Sequence, residues 1–267
     1  MEPYFPFVVV AWLINGSFGI DSILVYVRNF IFEGSFQTIW YLNALWSSFL
    51  IVYVLLKRFT PKQILCIAAP FYVLSCLLSS WNGLFVKIPL GLEITEMYYT
   101  IFETTKNGLL DGFMFVSLGM VICEYKSTSG RTGNKSKQII GMACSFALLV
   151  IEYALRTSFF TGDKSCDIIF GTIPFALFAV LFSVDLALPD SAVYKKLRVY
   201  STLMFLIQRI PLTLFAWADA FLNKIGGFTV FARYDVVFFV SVALSTFIIS
   251  AILLKISGKI KFLSKLF

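Results

Sequence analysis

The chain contains no histidine and few charged residues. Of its 267 residues, 14% are charged and 59% are hydrophobic, and the mean hydropathy is +0.85. Histidine is the side chain whose ordinary pKa lies between about pH 5 and 8, and it is also the commonest metal ligand. Its absence removes the usual general base and the usual metal ligand. The scarcity of charge excludes an ordinary water-soluble domain and predicts a chain surrounded by lipid.

The cysteines are also few, and their pattern carries no chemistry. Five are present, and their spacing is neither that of a disulfide framework nor that of a metal site. Four of them, Cys66, Cys76, Cys123 and Cys144, fall within or at the ends of apolar stretches. Cys166 lies near the end of another stretch, and we predict that all five are buried as small hydrophobic side chains; we expect no metal and no bound cofactor.

Eight long apolar stretches divide the chain into a regular series. A helix needs about 20 mostly apolar residues to cross the hydrocarbon core, where it satisfies its own backbone hydrogen bonds. The sequence therefore predicts an all-α fold, a polytopic transmembrane helical bundle of about eight spans, in a single domain over 1–267. The predicted spans are 7–27, 38–56, 63–80, 108–124, 138–155, 167–185, 199–222 and 234–254.

Most lysines and arginines lie in every second gap between these stretches. Fourteen of the 22 follow the second, fourth, sixth and eighth stretches, seven lie in the other gaps, and Arg209 lies within a span. Short loops rich in Lys and Arg stay in the cytoplasm, so both termini are predicted to be cytoplasmic in a multi-pass membrane protein. The basic residues form no basic domain or motif, which argues against nucleic-acid binding.

Ionisable residues within spans are the first candidates for function, because charge at membrane depth is costly. They are Asp21, Asp111, Glu152, Arg209 and Asp219. Four of them tend toward the same half of the membrane, which predicts a shared polar cavity, and we expect Arg209, Glu152 and Lys106 to line it. The alternative is a set of structural ion pairs or snorkelling side chains at helix ends.

Three segments, in matching order and spacing, resemble the integral-membrane acyltransferase family 3. The run YVRNFIFEGSFQTIWYLNALWSSFLIVYVLLKRFTPKQIL (26–65) resembles a family segment LWYLPAL and the apolar helix after it, with Asn43 in place of proline. FETTKNGLLDGFMFVSLGMVI (102–122) is similar to TTRNGLFFGFPFVLLG, with Lys106 in place of arginine. YKKLRVYSTLMFLIQRIPLT (194–213) is similar to a late helix LRKLSTLIYLIHP, with Gln208 where histidine is common.

The resemblance implies transfer of an acyl group, typically acetyl, from acyl-CoA to hydroxyls of a cell-envelope polysaccharide or similar polyol, in a bacterial cell membrane. Acetyl-CoA would be the donor substrate, and the partners would be the lipid bilayer and a carbohydrate acceptor. The family's chemistry is attributed to a histidine and arginines on early helices. This chain has no histidine, and the resemblance begins at what corresponds to the third family helix. We therefore interpret it as an N-terminally truncated or degenerate member.

The resemblance also suggests roles for individual residues. Without histidine a carboxylate would have to act as the base, and Glu152 and Asp111 are the catalytic candidates. The substrate-binding candidates are Lys106, Asn107, Arg209, Trp40 and Tyr41. Of these, the cations and the amide would bind or polarise an acyl carbonyl or a CoA phosphate, and the two aromatic residues either contact substrate or anchor the helix at the membrane interface.

Two other functions stay open at this point. One is a non-catalytic membrane protein of the same fold that binds or regulates a partner. The other is a small-solute transporter, which the intramembrane charges favour and the lack of internal repeats disfavours. The missing histidine separates an active enzyme from a non-catalytic relative.

Overall fold

The computed structural model describes residues 40–102, 104–130, 134–159, 168–186, 191–226 and 235–257, which are helical apart from short connections. No strand occurs within these ranges. The helices are α1 (Trp40–Leu55), α2 (Pro61–Leu78), α3 (Asn82–Phe85), α4 (Pro89–Ile101), a π-helix (Gly108–Gly112), α5 (Phe113–Ser129), α6 (Lys135–Phe159), α7 (Thr172–Val184), α8 (Ala192–Ile207), α9 (Arg209–Gly226) and α10 (Asp235–Ser257).

Among the described residues, five helical segments are long and apolar enough to cross a membrane, which indicates a helical integral membrane protein in contact with lipid. They are Pro61–Leu78, Gly108–Ser129, Lys135–Ser158, Val193–Ile225 and Val236–Ile256.

The prediction of eight spans is not confirmed. The apolar helix α7, both ends of which are described, has 13 residues. At about 1.5 Å per residue its length is roughly 20 Å, less than a hydrocarbon core of about 30 Å. The predicted span 7–27 lies outside the described residues.

The chain divides into two compact units, Met1–Ala187 and Leu188–Phe267. Helices α1 to α7 belong to the first unit and α8 to α10 to the second. That both units belong to one functional domain stays a prediction.

The start of α2 follows from local sequence signals. The Thr60 hydroxyl accepts a hydrogen bond from the backbone N–H of Gln63, and the side-chain oxygen Oε1 of Gln63 accepts one from the backbone N–H of Thr60 at 2.9 Å. This reciprocal capping box satisfies two backbone donors at the helix start. After α2 the chain forms α3 and α4 instead of a free loop, and the Tyr99 hydroxyl ties α4 to the end of α2 by donating to the Leu78 carbonyl at 2.9 Å.

Two glycines bring the π-helix directly against α1. A Cβ atom at Gly108 would overlap the Ser47 hydroxyl, one at Gly112 would overlap the Ser48 hydroxyl, and both would press on the Ala44 carbonyl. The Ser48 hydroxyl donates to the Gly108 carbonyl at 2.8 Å. Small residues permit this close approach of membrane helices, so these two glycines serve helix packing.

The apolar core of the first unit lies between α1, α2 and α5. Its buried members are Val52, Ile64, Ala68, Tyr72, Cys76, Phe113, Met114 and Ile168. The predicted burial of the cysteines is wrong for Cys66, Cys123 and Cys144, which are exposed, and right for Cys76. Cys166 lies outside the described residues. A helix that is apolar on every side does not reveal from its composition which face packs against protein and which faces lipid.

The second unit contains a helix break that one residue explains. α8 ends at Ile207 because Pro211, four residues later, has no N–H to donate and its ring would clash with the Ile207 carbonyl. The predicted span 199–222 therefore covers parts of two helices. Tyr200 of α8 stacks on Phe247 of α10 with ring centroids 5.8 Å apart.

Candidate functional site

Three of the predicted binding residues meet at the start of α1. The rings of Trp40 and Tyr41 are perpendicular, with centroids 6.2 Å apart. The Lys106 ammonium lies 6.0 Å from the centroid of the Trp40 ring, at the outer limit of a cation–π contact. The start of α1 therefore presents an aromatic platform and a cation side by side.

Asn107 fixes the helix that begins next to this platform. It is 3% exposed, and its side-chain oxygen accepts from the amides of Leu109 and Leu110 at 3.1 and 2.9 Å, capping the π-helix. Its side-chain nitrogen donates to the Tyr98 hydroxyl at 2.7 Å. Both ends of the amide thus serve the fold, and its role in substrate binding stays a prediction.

A groove of about 630 Å³ runs between α1 and the helix that begins at Gly108. Among the described residues that line it, Asp111 is the one acid and no basic side chain is present. The lining consists of Trp40, Tyr41, Ala44, Leu45, Phe49, Asp111, Gly112, Phe115, Val116, Gly119, Met120 and Cys123. No described residue lies within 4 Å of where a Cβ of Gly119 would be. Gly119 therefore makes no close contact with the described helices and leaves space in the groove.

Asp111 is placed where a ligand in the groove would meet it. Its side chain is 8% exposed and forms part of the groove wall. The Lys106 ammonium is near enough to interact electrostatically with its carboxylate. Within the described part of the chain we find no hydrogen bond to the Asp111 carboxylate oxygens. Buried polar groups are usually paired, so this carboxylate has capacity left for a ligand.

Glu152, the other candidate base, is used differently. It is 8% exposed; its Oε1 accepts from the Trp81 indole N–H and from the Phe170 amide, both at 2.9 Å, and its Oε2 accepts from the Gly171 amide at 2.7 Å. Because α7 begins at Thr172, the carboxylate satisfies backbone donors at the start of that helix. Glu152 thus joins α6 to the segment before α7 and to the turn after α2.

Arg156 belongs to the same cluster, although it directly follows the predicted span 138–155. It is 4% exposed, and its Nε donates to the Ser80 carbonyl at 2.8 Å. Trp81, the neighbour of Ser80, also packs its ring against Phe170. The available signal was the spacing of Glu152 and Arg156, because residues four apart on a helix share a face. We call Trp81, Glu152, Arg156, Phe170 and Gly171 the Glu152 cluster.

The predicted site residues therefore separate into groups. Trp40, Tyr41 and Asp111 line the groove, Lys106 and Asn107 lie next to them outside its lining, and Glu152 lies in its own cluster. Neither Glu152 nor Lys106 is among the described residues that line the groove. Arg209 begins α9 and the buried Asp219 follows it on the same helix, both in the second unit. Asp21 lies outside the described residues, and the shared cavity of Arg209, Glu152 and Lys106 stays a prediction.

Comparison with known proteins gives one distant similarity. No family model matches the chain, and no solved structure matches it. The chain is 21% identical over 253 residues to an amino-acid racemase from Enterococcus faecalis. The match includes 93% of this chain and 34% of the racemase, so the chain spans about a third of that protein's length. This identity is too low to assign a family.

Proposed function

We propose that the chain is a membrane O-acyltransferase-like protein. It would transfer an acyl group, acetyl in the simplest case, from acyl-CoA to a hydroxyl of a cell-envelope polysaccharide or similar polyol. The observation that carries the proposal is the apolar groove with Asp111 in its wall and Lys106 and Trp40 at its head. An acyl group fits an apolar groove, and its reacting carbonyl would lie among the polar groups. The three segments that resemble acyltransferase family 3 support the same reaction.

Asp111 is the base that the geometry favours over Glu152. A general base must reach the proton that it removes, and Asp111 faces the groove with carboxylate oxygens that no described residue occupies. Both oxygens of Glu152 already accept hydrogen bonds from Trp81, Phe170 and Gly171. Using Glu152 as a base would disrupt the start of α7.

The proposed reaction uses one carboxylate and one ammonium. Asp111 removes the proton of the acceptor hydroxyl, and the hydroxyl oxygen attacks the carbonyl carbon of the thioester. Lys106 stabilises the negative charge on the carbonyl oxygen. The carbon–sulfur bond then breaks, and the CoA thiolate takes the proton back from Asp111. Asn107 positions Asp111 by capping the π-helix, and Arg209 is proposed separately as an anion-binding residue of the second unit.

The rate should be lower than that of a histidine-based enzyme. A positioned general base typically contributes about 10²–10⁴-fold to the rate. In place of a histidine, this chain has a carboxylate in the groove wall, beside a cation. We therefore expect slow transfer, in keeping with a degenerate member of the family.

The proposed setting is a bacterial cell membrane, with eight spans and both termini in the cytoplasm. The excess of cations in alternate gaps supports this orientation. Reporter fusions after Lys62 and Lys137 should be active as cytoplasmic fusions, and fusions near Lys87 and Lys164 as external ones. The reverse pattern would contradict the orientation.

The function is tested by comparing Asp111→Asn with Glu152→Gln. Membranes that contain each full-length variant are incubated with radiolabelled acetyl-CoA and cell-envelope polysaccharide, and transferred label is measured per folded protein. We expect Asp111→Asn to lower transfer by about 100-fold or more and Glu152→Gln to retain it. Equal transfer by Asp111→Asn and the unmodified chain would refute the assignment. Loss of transfer in folded Glu152→Gln would make Glu152 the base.

A second candidate is a membrane protein that binds amino acids without catalysing acyl transfer. The similarity to an amino-acid racemase over 93% of the chain favours it, and the pairing of Lys106 with Asp111 suits the carboxylate and ammonium of a free amino acid. Binding of radiolabelled amino acids to the purified chain, lost in Lys106→Ala, would support this candidate. Acetyl transfer without such binding would eliminate it.

A further inference from the structure

The groove between α1 and α5 is longer than an acetyl group requires. Asp111 lies near one end and Cys123 at the other, and at about 1.5 Å per residue the helix between them is roughly 18 Å long. This is more than half of a hydrocarbon core of about 30 Å, a depth comparable to that of the acyl chains of one leaflet. The volume of about 630 Å³ is typical of a ligand pocket. An acetyl group would occupy only the end near Asp111.

The groove matches a lipid in its length, and the order of polar and apolar side chains along it matches the order of headgroup and acyl chain in a lipid. Tryptophan and tyrosine prefer the level of the lipid headgroups, and Trp40 and Tyr41 lie at the same end as Lys106. A lipid phosphate at that level would meet the Lys106 ammonium, and its acyl chain would continue past Phe49. Tyr41 and Phe49 are about half exposed, so the groove can be entered from the side.

We infer that the groove holds one long fatty acyl chain of a bilayer phospholipid, and that Gly119 determines how long a chain fits. Gly119 lies about 12 Å along the helix from Asp111, two thirds of the way to Cys123. A side chain there would enter open space in the groove without a clash. This inference deepens the proposed function. It rests on that function in one respect, because both require the groove to bind an acyl group.

The test uses two photoactivatable phosphatidylcholines and the full chain reconstituted in vesicles. One probe carries a diazirine at the end of a palmitoyl chain and the other at the end of an octanoyl chain. Labelled peptides are identified by mass spectrometry, with and without an excess of unlabelled lipid. The variants are Gly119→Phe, which fills the groove, and Ala147→Phe, a matched control on an exposed face of α6.

We expect the palmitoyl probe to label peptides of α1 and α5 and the unlabelled lipid to compete. Gly119→Phe should lower this labelling severalfold, because its ring would fill the space that the end of the palmitoyl chain needs. The octanoyl probe should be unaffected because its reactive group would lie above Gly119. Ala147→Phe should leave labelling by both probes unchanged. Unaltered secondary structure and elution volume would show that Gly119→Phe is folded.

Two results would overturn the inference. Absence of labelling in α1 and α5 would mean that protein covers the groove. Equal palmitoyl labelling in folded Gly119→Phe would mean that the probe reports only lipid around the protein. The labelling needs no acyl donor or acceptor, so its failure beside normal acetyl transfer would reject the lipid site alone. Labelling that depends on Gly119, without acetyl transfer, would support the lipid site and reject the proposed reaction.

Discussion

Replacing Glu152 by alanine should destabilise the first unit more than any surface change on the same helix. The substitution leaves three N–H donors, those of Trp81, Phe170 and Gly171, without their acceptor. A buried donor left unsatisfied costs about 1–3 kcal/mol. Allowing for partial rehydration at the start of α7, we expect a loss of about 3–6 kcal/mol. Because total stabilities are typically about 5–15 kcal/mol, this would be a large fraction of the whole.

Glu152→Gln gives a graded comparison. Its amide oxygen can replace Oε1 and keep the bonds from Trp81 and Phe170, whereas its amino group faces the Gly171 amide. The hydrogen bond from the Gly171 N–H is then lost, and the glutamine NH₂ group stands opposite that N–H. We therefore expect the free energy of unfolding to fall by about 1–3 kcal/mol. The control is Leu148→Ala, one turn away and 51% exposed, which should stay within about 0.5 kcal/mol.

The assay is reversible unfolding of the purified chain by SDS in mixed detergent micelles, followed by circular dichroism and tryptophan fluorescence. The expected order of stability is unmodified chain and Leu148→Ala, then Glu152→Gln, then Glu152→Ala. If Glu152→Ala proved as stable as Leu148→Ala, the carboxylate would not be holding the segment before α7, and the structural role assigned to it would be refuted.

Two further predictions concern the π-helix. Gly112→Val should cost about 1–3 kcal/mol of unfolding free energy, because its side chain would overlap Ser48 and the Ala44 carbonyl. Gly119→Val is the matched control and should cost little. Equal losses of unfolding free energy for the two variants in the same detergent titration would contradict the contact. Asn107→Ala should cost about 1–2 kcal/mol through loss of the cap and speed hydrogen exchange of the Leu109 and Leu110 amides. Unchanged exchange would show that the cap does not hold the helix.

Much of the helical architecture could be predicted from hydropathy, because a long apolar run in lipid has to satisfy its own backbone. The limits of the helices depend on local chemistry that hydropathy does not detect. Pro211 interrupts the predicted span 199–222, and the capping pair Thr60 and Gln63 fixes where α2 begins. The sequence predicts a full span at α7 because the apolar residues Ile168, Ile169 and Phe170 extend the hydrophobic run beyond the start of the helix.

The candidate site was predictable in part. Trp40, Lys106 and Asp111 were identified individually, but their meeting depends on the contact of Gly108 and Gly112 with α1, which is a tertiary feature. Glu152 is recognisable in the sequence as an ionisable residue within a predicted span, and the structure buries it. Its partner Trp81 is 71 residues away in the chain, a distance at which one sequence gives no pairing signal.

The most direct test of the central claim is whether this chain transfers an acetyl group at all through its cationic residues. Membranes that contain the chain are compared with membranes that contain the double variant Lys106→Ala and Arg209→Ala, at equal amounts of folded protein, by counting radiolabel moved from acetyl-CoA to polysaccharide. The account predicts slow but measurable transfer, and its loss in the double variant, because the variant lacks the residue proposed to stabilise the oxyanion and the residue proposed to bind an anion. Identical counts in the two membranes would contradict it.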